Sequence, residues 1–263
     1  MNILVCIKQV PDDSVEVSMG KDGKPEIDGI TPVVNAFDTY ALEMATRLKE
    51  SLNDGSEITA LCVGPESAKN SLKNCLAVGA DHAYLVNDES IDDIDSIGIA
   101  EVLKNAVEKL AEEKGKFDLI FTGKEATDAA LGQTGIYLAA KLGTAVITNI
   151  IDVKVEDGSI EAKHETEEGY RVIEAAMPAV LTVTKPEYDP RYPTIKNKMA
   201  ARRKQIDEMN ISELSALDEI TAKIKKTAEY EPPKRSAGIK IKEESDEESA
   251  LKAIQMMVEA KVL

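Results

Sequence analysis

A chain of 263 residues, 43% of them hydrophobic, has apolar surface enough for one large core, alone or with an appended segment. Its 32 basic residues against 48 acidic ones leave a formal net charge of −16, which opposes nucleic acid and anionic membranes as partners and leaves proteins and small molecules. No apolar run reaches the roughly 18 residues of a membrane span, and the opening MNILVCIKQV lacks the basic region and small-residue cleavage site of a signal peptide, so a cytoplasmic location is expected.

In chain order, Ile3 to Ile7 reads as a strand. Phe37, Tyr40, Ala41, Met44, Ala45 and Leu48 then recur at three- and four-residue steps, the spacing of an amphipathic helix over 37–48. Ile58 to Val63 is a buried strand, and Gly64-Pro65 turns into a helix that ends near Gly79. A strand at Ala83 to Val86, a helix from about Ile97 to Lys114, a strand at Asp118 to Gly123 and a helix from near Gln133 follow. Such alternation predicts an α/β fold, an open and mostly parallel sheet of the Rossmann-like, adenine-nucleotide-binding type. After Val146 the period changes to two across Asp157-Gly158, which predicts an antiparallel hairpin, before a returning strand at Ala179 to Val183. From Lys185 prolines are frequent and residues 231–249 are polar. The expected division is therefore a nucleotide-binding domain over 1–184 and a loop and C-terminal arm over 185–263, closed by a docking helix over Glu247 to Leu263.

Cys6, Cys62 and Cys75 form no C-x-x-C pair and lie in apolar stretches, as buried free thiols do. With only His82 and His164 beside them, no metal centre is expected. An open parallel sheet binds ligands beyond the carboxyl ends of its strands, which singles out Cys6 to Val10, Asn35, Val63 to Pro65, and Gly123 to Thr134. In the last segment Thr127, Asp128 and Gly132 leave a strand and Gln133-Thr134-Gly135 opens a helix. Backbone N–H groups there suit a phosphate, and the same residues serve equally as caps and turns. No G-x-x-x-x-G-K-[ST], G-x-G-x-x-G or G-x-S-x-G occurs, so a P-loop NTPase, a dinucleotide dehydrogenase of the usual fingerprint and a serine hydrolase are all disfavoured; no catalytic residue is assigned.

Several separated blocks, in order, resemble the electron-transfer flavoprotein beta subunit: Val5-Cys6-Ile7-Lys8-Gln9-Val10-Pro11-Asp12, Asn35-Ala36-Phe37, Ala77-Val78-Gly79-Ala80-Asp81, and Gly123-Lys124 with Asp128 and Gln133-Thr134-Gly135. Ala162, Glu167-Glu168-Gly169, Ile173, Pro178 and Val180-Leu181-Thr182 match the family's signature segment, whereas His164 and Arg171 depart from it. The resemblance runs from Met1 to about Lys204. It implies a heterodimer with an alpha subunit that carries FAD, while the beta subunit holds AMP or, in electron-bifurcating members, a second FAD. Carried over, Cys6, Asn35 and Val63 would frame the adenine and ribose, and Thr127, Asp128, Gln133 and Thr134 the phosphate end beyond Gly123. Ala129 and Gly132 stand where AMP-binding relatives often have polar side chains. The loop from Tyr188 through Arg191, Tyr192 and Ile195 resembles the family's recognition loop for a partner dehydrogenase, with Ile195 as anchor. Glu165 lies where relatives place an acid facing the alpha flavin, in a position to tune it.

On the cofactor, the opening block, the small Ala129 and Gly132 and the acidic C-terminal segment favour FAD over AMP. FAD implies NADH as electron donor, with electrons passing to the alpha flavin, to a flavin-dependent dehydrogenase of acyl-CoA or 2-hydroxyacid type, and to ferredoxin. Two other functions share this architecture. A stand-alone nucleotide-sensing module would use the same loops without a flavin partner, and an ATP-cleaving ligase would need an S-G-G-x-D-S loop that this chain lacks.

Overall fold

A computed structural model describes residues 1–87, 94–156, 158–214, 222–233 and 237–263. They divide into two compact units, 1–17 with 26–227 and 18–25 with 228–263.

In the first unit β1 (Asn2–Ile7) and the short β2 (Gln9–Pro11) and β3 (Pro32–Val34) lead into α1 (Ala36–Leu52). Then come β4 (Glu57–Gly64), α2 (Lys69–Val78), β5 (His82–Asn87), α3 (Ser96–Lys114), β6 (Leu119–Gly123) and α4 (Thr134–Leu142). β7 (Ala145–Glu156), β8 (Ser159–Thr166), β9 (Gly169–Ala176), β10 (Ala179–Val183), α5 (Ile195–Arg203) and β11 (Asp207–Met209) complete it. Among the described residues nine strands form one sheet in the order β11-β5-β4-β1-β6-β10-β7-β8-β9, while β2 and β3 pair antiparallel on their own. From β11 to β7 all pairings are parallel, and β7-β8-β9 are antiparallel. The expected open, mostly parallel α/β sheet is thus the fold.

Alternation along each strand sorts the helices onto two faces. Ile3, Val5 and Ile7 point to the layer of α1 and α2, while Leu4 and Cys6 point to that of α3 and α4. Because such crossovers are right-handed, winding outward from β1 to β4 and β5 places α1 and α2 on one face. The return across β1 to β6 places α3 and α4 on the other. The loops after β1 and β6 consequently diverge, which opens a crevice at the carboxyl edge of the sheet.

The predicted hairpin is one turn longer than its pattern suggests, since β9 pairs with β8 from Thr166↔Gly169 to Ser159↔Ala176. Asp157 of the predicted turn lies outside the described residues. β7 serves both halves of the sheet through an irregularity at Asn149, whose φ of 49° is tolerable for asparagine and whose N–H bonds Thr182 Oγ1 at 3.0 Å.

In the second unit α6 (Asp246–Glu259) starts at Ser245, whose hydroxyl accepts from Glu248 N–H. The predicted terminal helix is present, but it ends at Glu259 rather than running to Leu263. Its Leu251, Ile254, Met257 and Val258 are all exposed within the described residues.

Candidate functional site

The crevice is a cleft of about 820 Å³, near the top of the roughly 300–1,000 Å³ usual for ligand pockets. Its walls are the loop after β1, residues 27–30, the turn after β4, the start of α3, and the loop from β6 to α4. Of the residues expected from sequence, Cys6, Asn35, Val63, Gly123, Asp128, Gln133 and Thr134 all line it. Thr127 lies in the same loop with its backbone N–H turned to Asn35.

Two side chains at the start of α1 hold the crevice in shape. Asn35, 1% exposed, donates from Nδ2 to the Glu125 carbonyl at 2.8 Å and accepts on Oδ1 from Thr127 N–H at 3.1 Å, while its own N–H bonds the Lys8 carbonyl. It therefore ties the loop after β1 to the loop after β6, and both ends of its amide are engaged within the protein. Asp38 does the same one turn further on, accepting from Lys8 N–H at 2.7 Å and Gly123 N–H at 3.0 Å. Burial pushes its carboxyl up to about 7 against the pull of those donors. Gly123 is required by this approach, since a Cβ there would fall 2.5 Å from Asp38 Oδ1. Gln9, bonded to the Ser67 carbonyl and Ser71 Oγ, fixes the other side of the β1 loop.

The loop from β6 turns on Ala130, whose φ of 49° is unusual for a residue with a Cβ. It delivers Gln133 and Thr134 to the first turn of α4, where backbone N–H groups have no partner further up the helix. Gly135 seats that turn against the sheet, because a Cβ would lie 2.5 Å from Thr122 Oγ1 and 2.8 Å from Thr182 Cγ2. Across the mouth, Lys8 Nζ from the end of β1 meets both carboxylate oxygens of Asp128 at 2.8 and 2.7 Å. At the far rim Asp95 caps α3 through Gly98 N–H and also accepts from the N–H groups of Lys223 and Ile224. Burial alone would raise that carboxyl, yet these donors hold it below the usual range. Burial also pushes the Cys6 thiol far above its usual range, so it offers shape rather than a thiolate.

An adenine nucleotide fits these residues on one particular observation. Gln133 Oε1 is buried with no hydrogen-bond partner in the protein, an arrangement that costs free energy unless a ligand supplies a donor. In the same lining Val63, Ile99 and Leu103 give the apolar surface that a flat base needs, and the N-terminus of α4 offers N–H groups suited to a phosphate. Among the described residues no cluster of His, Cys, Asp and Glu is arranged to hold a metal ion, and no helix is long and apolar enough to cross a membrane.

The remaining expected residues lie elsewhere. Glu165 is exposed on β8 and paired with Tyr170 of β9, away from the cleft lining. Arg191 is committed within the chain: its guanidinium bonds Glu43 through Nε at 2.8 Å and Glu50 through Nη1 at 2.6 Å and Nη2 at 2.9 Å. Tyr192 beside it and Ile195 at the first position of α5 are 92% and 81% exposed, so Arg191 holds the loop that leads to them. Asp38 was not singled out by the sequence, and Lys8 was reached only as part of the Cys6 to Val10 segment, with no role of its own. An acid in the first turn of a helix that follows a strand is the signal that marks Asp38, and for Lys8 the position at a strand end gave the place but not the Asp128 pairing.

Fold and cleft define a doubly wound α/β protein with an open crevice at the switch point of its sheet. Comparison with known proteins is more specific. Residues 28–214 match the family described as the electron transfer flavoprotein domain, and the chain belongs to that family. It is 38% identical to the electron transfer flavoprotein subunit beta of Megasphaera elsdenii over the full length of both. It is 32% identical to the subunit of the same name from Bacillus subtilis, again over both whole chains. A third relative, the caffeyl-CoA reductase-Etf complex subunit CarD of Acetobacterium woodii, is 35% identical over 80% of this chain and 78% of that one. The likeness therefore continues past Lys204, where the motif blocks end.

Proposed function

We propose that this chain is the beta subunit of a heterodimeric electron carrier and that its cleft holds FAD rather than AMP. The observation that carries the reading is the cleft itself: about 820 Å³ at the switch point, with Ala129 and Gly132 small beside the α4 N-terminus, leaves room for a second phosphate and a ring system. The flavin, when bound, supplies the hydride and single-electron chemistry. The chain's own residues do the rest. Cys6 and Val63 bound the base by shape, Gln133 Oε1 accepts a hydrogen bond from it or its ribose, and the first N–H groups of α4 face the phosphates, with Thr127, Asp128 and Thr134 around them. Asn35 and Asp38 keep both loops at a fixed separation, which is the positional part of such a site.

The alpha subunit carries the second FAD in this reading, NADH is the electron donor, and ferredoxin and a flavin-dependent dehydrogenase of acyl-CoA or 2-hydroxyacid type are the acceptors. The name of the Acetobacterium relative, a reductase complex, supports a partner of that kind. Tyr192, exposed on the loop clamped by Arg191, and Ile195, exposed at the first position of the basic helix α5, are suited to a transient protein contact. Glu165, exposed on β8, is proposed to face the alpha flavin and bias its potential. The deciding experiment is to purify the chain co-expressed with its alpha subunit, denature the pair and quantify released nucleotide. Two FAD per heterodimer, with flavin bleaching on NADH addition, is expected; one FAD and one AMP would refute the bifurcating reading. A colourless chain that binds nucleotide without any alpha subunit would indicate the nucleotide-sensing alternative.

A further inference from the structure

The cleft is lined by an unfavourable balance of charge for a phosphate-bearing ligand. Among the described residues two lysines, Lys8 and Lys124, face five carboxylates: Asp28, Asp38, Asp95, Glu125 and Asp128. Asp38 and Asp95 are turned onto backbone N–H groups and act as clamps for the walls. Both lysines are already paired with carboxylates of the β6–α4 loop, Lys124 with Glu125 at 3.8 Å and Lys8 with Asp128 at 2.7 Å. The Lys8 pair is the tighter, bonds both carboxylate oxygens, and joins the loops that follow β1 and β6 across the crevice.

We propose that Asp128, although it lies beside the phosphates, does not bind them but competes with them for Lys8, and that Lys8 exchanges Asp128 for phosphate on binding. The inference rests on the nucleotide reading above and adds the control of affinity. An ammonium on a flexible four-carbon stem can rotate from one anion to another, whereas Asn35 pins the loop that carries Asp128 by its neighbour Thr127. Asp128 therefore remains near the bound phosphate as an uncompensated like charge. The pair is partly exposed, 45% and 31% at the two side chains, so its strength is moderate and exchange is accessible. The repulsion grows with the charge of the ligand, so the pair selects against the more highly charged nucleotides: it disfavours ADP more than the diphosphate diester of FAD, in which each phosphate carries a single charge.

The test is isothermal titration of the full chain, freed of nucleotide by charcoal treatment, with AMP, ADP and FAD at several salt concentrations. Asp128→Asn is expected to tighten binding by about three- to fivefold, most for ADP, and Lys8→Gln to weaken it by about fivefold or more with a shallower salt dependence. In the Lys8→Gln background the gain from Asp128→Asn should shrink, because Lys8 is no longer there to be released. Weaker binding by Asp128→Asn, or an equal gain in both backgrounds, overturns the exchange and makes Asp128 a direct contact or a bystander. If the wild-type chain binds none of the three, the nucleotide reading falls, and the exchange with it. Circular dichroism on each variant separates a loss of binding from a loss of fold, and Lys8→Arg, which keeps the charge, should retain binding.

Discussion

Arg191→Ala tests whether the guanidinium holds the exposed loop after β10 in place. Arg191 donates to Glu43 through Nε at 2.8 Å, Nη2 at 3.2 Å and its backbone N–H at 3.2 Å, and to Glu50 through Nη1 and Nη2. The two carboxylates differ in environment. Glu50 is exposed, so its share is about 0–1 kcal/mol. Glu43 is buried at 4% exposure and would keep only Arg47, at 2.7 Å. Losing charge-assisted hydrogen bonds to such a group costs about 1.5–3 kcal/mol, reduced here because the guanidinium is itself one-third exposed. A total of about 2–3 kcal/mol follows, or roughly 5–10 °C in Tm for a domain of this size. The sign of the pH dependence is also set. Burial would raise the Glu43 carboxyl, but Arg191 and Arg47 hold it below its usual 4.5, so this stabilisation is present above that pH and fades as pH falls through the lowered folded value. The gap between wild type and variant should thus narrow on acidification from pH 7 toward pH 4. Chemical denaturation at several pH values measures it. An unchanged midpoint at pH 7, or a gap that widens in acid, would refute the reasoning.

Asp38→Asn turns an amide N–H₂ toward one of two backbone donors and should cost about 1–3 kcal/mol at pH 5. Because burial lifts this carboxyl from 3.8 to about 7, the folded chain keeps a proton that the unfolded chain has released, and wild-type stability should decline as pH rises between about 4 and about 7. Urea denaturation across that window should show the slope in wild type and lose it in the variant; the same slope in both would rule out Asp38 as its source. Ile195→Ala removes an 81% exposed side chain, so Tm should move by less than about 0.5 kcal/mol equivalent. Affinity for the proposed partner dehydrogenase should nonetheless fall by about 1–2 kcal/mol, read as slower electron transfer at sub-saturating partner with flavin content unchanged.

Much of the fold was legible because its signals are local. The apolar run Ile3 to Ile7 is long enough to be a doubly covered strand, and the three- and four-residue steps from Phe37 to Leu48 describe the buried face of α1 wherever it packs. The Gly123 to Gly135 segment was legible as a loop entering a helix for the same reason. Elements held by their neighbours were not. β9 is largely exposed and shows little alternation, and β11 is three residues that count as a strand only through their pairing with β5. The roles of the site residues belong to this second kind. Asn35 was placed in the cleft by its motif, but its amide engages Glu125 and Thr127, 90 and 92 positions away, and Arg191 engages carboxylates 148 and 141 positions away. A hydrogen bond across such a separation leaves no periodicity in the chain, because its geometry exists only once the strands that carry its two ends have been brought side by side. The sequence by itself determined the strands and helices that carry their own apolar pattern and where the crevice opens; the tertiary structure alone decided the elements held by pairing and which polar groups at the crevice brace its walls.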